Sequence, residues 1–171
     1  MGLLRVLKKL KIGLEVNLID LIPELEGKVK WGKIPIRAVL GHCGGLPCEG
    51  EFDRWDGEEM LDKAAILDNI DNDVIGMPYE KFHYSNFGYI LLGLLIEKLT
   101  GSTYEEYITN EILLPFQMND STFTYNQPKN KEIESTGHLF IDEEKLNIKA
   151  PIIGYGGCKS CGGLLTNIAD L

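Results

Sequence analysis

Residues 82–101, FHYSNFGYILLGLLIEKLTG, most restrict what this chain can fold into. Tyr84, Ser85 and Asn86 stand in a row, and the side chains then stay apolar from Phe87 to Ile96. A helix that is apolar on every side must be surrounded by protein or by lipid. The run stops at Glu97 and Lys98, well short of the roughly 18–20 residues that cross a bilayer. The segment therefore reads as a buried core helix, not a transmembrane one. It begins near Tyr84 and ends at Gly101, a residue suited to the left-handed position just past a helix. Its first turn presents polar groups at the edge of a core.

A chain of 171 residues supplies about one domain's worth of core for such a helix to enter. The net charge of −9 comes from acidic residues spread along the chain, without a like-charged block. Nucleic acid and anionic surfaces select basic faces, so neither is expected as a partner. At the start, MGLLRVLKKLKIG sets Leu3, Leu4, Leu7 and Leu10 between Arg5, Lys8, Lys9 and Lys11. Charges break up the apolar stretch that a signal peptide needs. The segment predicts an amphipathic helix over 2–11, stopped near Gly13 and packed by one face on the core. Export from the cytoplasm would call for a signal peptide on a further N-terminal segment.

The remaining organisation is coarse. A short helix is expected from Pro35 to Gly41, running into the loop GHCGGLPCEG. DGEEMLDKAAILDNI, residues 56–70, has a helical period. Ser102 and Glu105 are spaced as a capping box for a helix through about Leu113, ended by Pro115. Beyond it, STFTY and GHLFIDEEKLNIKAP alternate like strands, with a hairpin turn at DEEK. The tail GYGGCKSCGGLLTNIADL reads as a glycine-rich loop entering a helix capped by Thr166 or Asn167 and cut off at Leu171.

Cys43, Cys48, Cys158 and Cys161 form two local pairs in glycine-rich loops. Small thiols, a zinc site with His42 as an additional ligand, and one or two disulfides all fit that spacing. A phosphate loop does not fit, because Ile153 and Cys158 stand where G-x-x-x-x-G-K-[ST] requires glycine. His42, His83 and His138 are scattered and build no metal motif. No metal or cofactor is expected.

Chemistry is left to Tyr84 and Asn86. A phenol and an amide two residues apart at a helix mouth can share one cleft. A phenol whose pKa is lowered by cations can take a proton from a nucleophile.

Four segments in order, IPIRAVLGHCGGLP, FHYSNFGYILLGLLIEKLTG, YEEYITNEILLPFQMNDSTF and CGGLLTNIADL, resemble the serine β-lactamase and penicillin-binding-protein family. That group includes class C β-lactamases, DD-peptidases and esterases. The resemblance runs from about residue 3 to the end. It implies an α+β fold, a partial β-lactamase/transpeptidase-like domain made mostly of its helical region with a few strands. It also implies that Tyr84 is the proton shuttle of Y-x-N and that Asn86 binds the substrate's acyl side chain. Ser85, His42, Gly162 and Gly163 would border the substrate cleft. The parent substrates would be β-lactams, D-Ala-D-Ala or other peptidoglycan-like peptides, or small esters.

The departures are equally specific. No serine precedes Ser85, and S-x-x-K occurs nowhere in the chain. The family's K-T-G-type strand is also missing. Residues 1–171 are thus expected to be the middle of such a domain, lacking both flanking elements. Cys43 stands in the family's H-T-S-G-L segment but has no neighbouring base to make it a nucleophile. The expected outcome is a chain that is hydrolytically inert by itself. The expected alternatives are a non-catalytic binding protein that keeps the cleft, or a zinc or redox site on the cysteines. Without the flanking strands, the helices at 2–11 and 87–99 are expected to lose cover, leaving a marginal fold prone to self-association.

Overall fold

The computed structural model describes residues 1–26, 33–48, 75–123 and 159–171, together with the backbone of 138–141 and 146–149. Its first helix, α1 (Gly2–Leu10), buries Gly2, Leu3, Val6 and Leu7 and turns its lysines outward. That spacing is one stripe of an amphipathic helix. Lys11 ends it in a left-handed conformation, its N–H returning to Leu7 and Lys8.

Two short helices follow, α2 (Leu18–Leu21) and α3 (Ile36–Leu40), with a 3-10 turn at Pro23–Leu25 between them. Residues 14–18 run beside 34–37. Leu18 N–H donates to Ile34 O, Ile36 N–H to Val16 O, and Arg37 N–H to Leu14 O. Pro35 precedes α3 and Gly41 closes it, as the sequence predicts.

The helix at the centre is α4 (Asn86–Thr100). Phe87, Ile90, Leu91, Leu92, Leu95 and Ile96 are all buried, and Tyr89, Leu94 and Leu99 are half-buried against the same core. It packs against α1, α3, α5 (Tyr104–Ile108) and α6 (Lys159–Gly162). The expectation that this helix lacks cover is therefore corrected. The exposed large apolar side chains lie elsewhere, among them Leu4 and Leu10 on α1, Leu114, Phe116 and Ile168. No helix among the described residues is long and apolar enough to cross a membrane.

At its far end α4 closes on itself. Gly101 takes φ 71° and donates its N–H to Glu97 O. The Glu97 carboxylate accepts the Tyr104 N–H at 2.7 Å, which ties the start of α5 to the last turn of α4. The capping box lies one residue later than Ser102 and Glu105. Thr103 Oγ1 accepts the Glu106 N–H, and the Glu106 carboxylate accepts the Thr103 N–H. Glu105 is drawn away because its carboxylate pairs with Lys159 on α6. After α5 the chain widens into a π-helical turn, Thr109–Leu113, where Leu114 N–H reaches back to Thr109 O.

The strand region is small. β1 (His138–Ile141) pairs antiparallel with β2 (Leu146–Lys149), in the register His138 to Lys149 and Ile141 to Leu146. The expected turn at 142–145 and the expected helix at 56–70 lie outside the described residues. Of STFTY only residues 121–123 are described, and Thr122 there forms an isolated bridge with Leu165. Ser121 Oγ meets Thr166 Oγ1 and donates to Asp170 Oδ2, each at 2.7 Å. Asn167 Oδ1 accepts the N–H groups of Ala169 and Asp170, as the cap expected there would. Lys159–Gly162 is a helical turn, not the loop the glycines suggest.

Candidate active site

The mouth of α4 is built from two stretches of chain far apart in sequence. Ser85 is the N-cap, extended at φ −143°, so the helix starts at Asn86 and not at Tyr84. Its hydroxyl oxygen accepts the Gly88 N–H at 2.8 Å and donates to Pro47 O at 2.6 Å. At 3% exposed, Ser85 is among the few buried polar residues described. Both of its bonds are therefore worth more than surface bonds, since breaking either strands a desolvated partner. Cys48 O accepts the Asn86 and Phe87 N–H groups, satisfying two more donors that a helix start leaves unpaired.

The loop that supplies these partners is itself held at the end of α3. Cys43 N–H donates to Ala38 O at 2.7 Å, and Cys43 O accepts the Tyr79 N–H at 2.8 Å. Gly45 has φ 69°, and a Cβ there would lie 2.0 Å from Gly76 O. Only glycine fits, both for conformation and for space. Gly88 faces the same loop, where a Cβ would press on Val39 Cγ1 at 3.0 Å and Leu46 Cδ1 at 3.2 Å.

On this scaffold the Tyr84 hydroxyl donates to Asn86 Oδ1 at 2.9 Å. Tyr84 is 51% exposed, so the phenol faces solvent at the rim. Because Asn86 Oδ1 is turned to the phenol, its Nδ2 points the other way as a donor. His42 completes the cluster. Its Nδ1 accepts the Ser85 N–H at 3.1 Å. Its ring stacks on Tyr89 at 4.9 Å, lies tilted over Tyr84 at 4.7 Å, and meets the edge of Phe82 at 5.7 Å. Burial holds the His42 pKa below its ordinary 6.5, because removing the ring from water penalises the charged form.

Tyr84, Ser85, Asn86 and His42 thus come together. Gly162 closes α6 and Gly163 follows it. Gly163 packs on Lys159, where a Cβ would lie 2.8 Å from Lys159 Cα. Their helix α6 crosses α4 at Gly93, where a Cβ would lie 2.3 Å from Ser160 Oγ. Gly93 is about 12 Å along the axis from Ser85 at the α-helical rise. The sequence reading missed Tyr89 and the carbonyls of Pro47 and Cys48. Tyr89 was accessible in principle, since it lies one turn on from Asn86, on the same face; backbone carbonyls leave no trace in side-chain identity.

Cys43 is a free thiol whose Sγ donates to Gly41 O at 3.3 Å. Among the described residues no group of three or more His, Cys, Asp or Glu side chains is placed to hold a metal ion. Cys158 lies outside those residues.

The family profile described as Beta-lactamase matches residues 3–161. The chain belongs to the β-lactamase family. Penicillin-binding protein 4* of Bacillus subtilis is 36% identical over 99 residues, covering 55% of this chain and 22% of that protein. The β-lactamase-like protein 2 of Dictyostelium discoideum is 33% identical over 138 residues, covering 79% of this chain and 25% of that protein. The chain therefore spans a quarter or less of the length of these curated relatives. Among solved structures, the octameric penicillin-binding protein homologue from Pyrococcus abyssi aligns at a TM-score of 0.77 and 25% identity, covering 99% of this chain and 40% of its own. A D-stereospecific amidohydrolase from a Streptomyces species aligns at 0.79 and 19% identity, covering 99% of this chain and 54% of its own. The β-lactamase/transpeptidase-like fold is thereby shown for a chain whose described residues are mainly helical.

Proposed function

We propose that residues 1–171 form the middle of a β-lactamase-family acyl-transfer domain and supply its proton-handling and acyl-binding groups. The supporting observation is the Tyr84–Asn86 pair, bonded at 2.9 Å and facing solvent at the rim of a firmly capped helix. In this reading a serine hydroxyl attacks the substrate carbonyl and Tyr84 Oη receives its proton. To do so the phenol must first lose the hydrogen it now donates to Asn86, to solvent, so the acceptor is the phenolate, a form that cations of the completed site would stabilise. Asn86 Nδ2 donates to the acyl side-chain carbonyl of the substrate. Ser85 holds the helix start, and His42 borders the cleft.

The serine must come from outside these residues, since none precedes Ser85 and no S-x-x-K occurs. Helpers without a nucleophile form no acyl-enzyme. The chain by itself is therefore inert. In this reading Gly162 and Gly163 border the substrate cleft, as the resemblance implies. The substrate class is a β-lactam, a D-Ala-D-Ala peptide, a D-amino-acid amide or a small ester. The amide is suggested by the amidohydrolase that shares the fold.

A fluorescent penicillin tests this. Incubated with the isolated chain, it should leave no covalent label. A stable adduct on these residues would show that the chain carries its own nucleophile and overturn the proposal. In a form of the protein that includes an S-x-x-K segment, labelling should appear and fall at least 100-fold in Tyr84→Phe, the scale of a lost general base. The second reading, a binding protein that keeps the cleft without the chemistry, is favoured by the intact Tyr84–Asn86 pair beside a missing serine. It predicts saturable, reversible binding by the isolated chain and no S-x-x-K in frame upstream.

A further inference from the structure

We propose that His42, as a neutral imidazole, is the positioning residue for Tyr84, and that protonation at Nδ1 releases Tyr84 and the start of α4. The proposal rests on the reading of Tyr84 and Asn86 as site groups, but its geometry stands apart from it. The two residues flanking Tyr84 both end their N–H groups on His42. His83 N–H donates to His42 O at 2.7 Å, and Ser85 N–H donates to His42 Nδ1 at 3.1 Å. Between them the Tyr84 ring lies over the imidazole at 4.7 Å. One residue therefore binds the backbone on either side of Tyr84 in sequence and also packs on its ring. The imidazole also stacks on Tyr89, whose hydroxyl donates to Leu40 O at 3.2 Å at the end of α3. The backbone of His42 is left-handed, with φ 54°, so the residue is placed by its loop and not by a regular element.

The arrangement works in only one protonation state. A nitrogen that accepts an amide N–H carries no proton, so Nε2 is the protonated nitrogen of the neutral ring. An imidazolium has N–H at both positions and would set a second donor against Ser85 N–H. Attraction between a cationic ring and the faces of Tyr84 and Tyr89 acts the other way. Burial opposes it and keeps the neutral form favoured. Among the described residues, the titratable neighbours are Cys43 on the same loop, His83 and Tyr84 before α4, Tyr89 on it, and Tyr79, whose N–H bonds Cys43 O. Beyond Tyr79 lies the Arg37–Glu15 ion pair. His83 itself keeps Nδ1 buried with no hydrogen-bond partner among the described residues, so its titration must be followed separately.

Nuclear magnetic resonance on the isotope-labelled 171-residue chain tests this without any need for turnover. At pH 8 the His42 nitrogens should report Nδ1 unprotonated, and the Ser85 amide should exchange slowly with solvent. On acidification, His42, the Ser85 amide and the Tyr84 ring signals should move together with one apparent pKa below 6.5. The protection of the Ser85 amide, referred to the intrinsic exchange rate at each pH, should fall at least 10-fold over that step. His42→Asn keeps an acceptor oxygen and suits a left-handed backbone, so there the Ser85 amide should stay protected and the Tyr84 step should vanish. An Nδ1–H tautomer at pH 8, or Tyr84 and Ser85 signals indifferent to His42 titration, would overturn the proposal. If the coupled step is seen but Tyr84→Phe leaves labelling of a serine-bearing form unchanged, the functional reading fails and the positioning role stands.

Discussion

The two ends of α4 are finished in opposite ways. At the C-terminal end every cap is local: Gly101 returns to Glu97, Ser102 N–H to Thr100 Oγ1, Tyr104 N–H to the Glu97 carboxylate, and Thr103 pairs with Glu106. At the N-terminal end the partners are His42, Pro47 and Cys48, on a separate loop. The first end holds together wherever the chain goes; the second exists only when two distant segments meet. The proposed site groups lie at the second, in keeping with a cleft walled by more than one segment.

The largest way to break this contrast is Gly45→Ala. The new Cβ would occupy the place of Gly76 O at a positive φ, so the loop that carries His42, Pro47 and Cys48 must move. We expect a loss of about 3 kcal/mol or more in chemical denaturation, in the range of strain combined with overpacking. Ser85→Ala comes next. It removes the cap and strands Pro47 O, for about 2–3 kcal/mol. Thr103→Ala deletes a comparable cap at the local end, but a solvent-exposed one, for about 1 kcal/mol. Should Thr103→Ala cost as much as Ser85→Ala, the distinction between the two ends would be lost. Smallest of all is Lys98→Ala, which breaks the surface pair with Glu24. It should leave the denaturation midpoint unchanged within error.

A titration sharpens the same comparison from the alkaline side. Tyr104, against Phe123 at 5.5 Å, has its pKa pushed up to about 12, first by burial and then by the negative charges of Cys161 and Glu105. Between its ordinary 10 and about 12 the unfolded chain has lost a proton that the folded chain keeps. Stability therefore falls as pH rises through that window. Denaturation midpoints from pH 9 to 11.5 should show this slope, and Tyr104→Phe should flatten it. His42 works in the opposite direction. Its depressed pKa makes stability full above pH 6.5 and lost as pH falls towards the folded value.

This difference between the ends also explains what could be read from the sequence. Gly101 marked the end of α4, and the amphipathic stripe of α1 placed Leu3 and Leu7 inwards, because both signals are carried by neighbouring residues. The capping box slipped by one position because S-T-Y-E-E satisfies the pattern twice. The choice between Glu105 and Glu106 is made by Lys159, which the local pattern cannot see. Ser85 was read as a cleft residue, and its burial as the cap that binds Pro47 depends on a loop turned by Gly45. Tyr84 and Asn86 were legible as a pair through their spacing. His42 is expected beside the cleft through the family resemblance, but its bond to the Ser85 N–H and its packing on Tyr84 and Tyr89 are not legible, because they depend on a loop distant in sequence.

The Glu97 carboxylate that holds the Tyr104 N–H has a kinetic meaning. Contacts between near neighbours in sequence close quickly, because little chain entropy is lost in forming them. The corner from Glu97 to Glu106 needs only such contacts, so it is expected to be ordered in the folding transition state, while the Ser85 mouth forms late. Thr103→Ala should then mainly slow folding, and Ser85→Ala should mainly speed unfolding. Stopped-flow rates for the two variants would read this directly; the reverse pattern would mean that the mouth of the helix nucleates the fold. On the expected order, the helix reaches its native neighbours before its site groups are in place, and the cleft is the last part of the described core to acquire its shape.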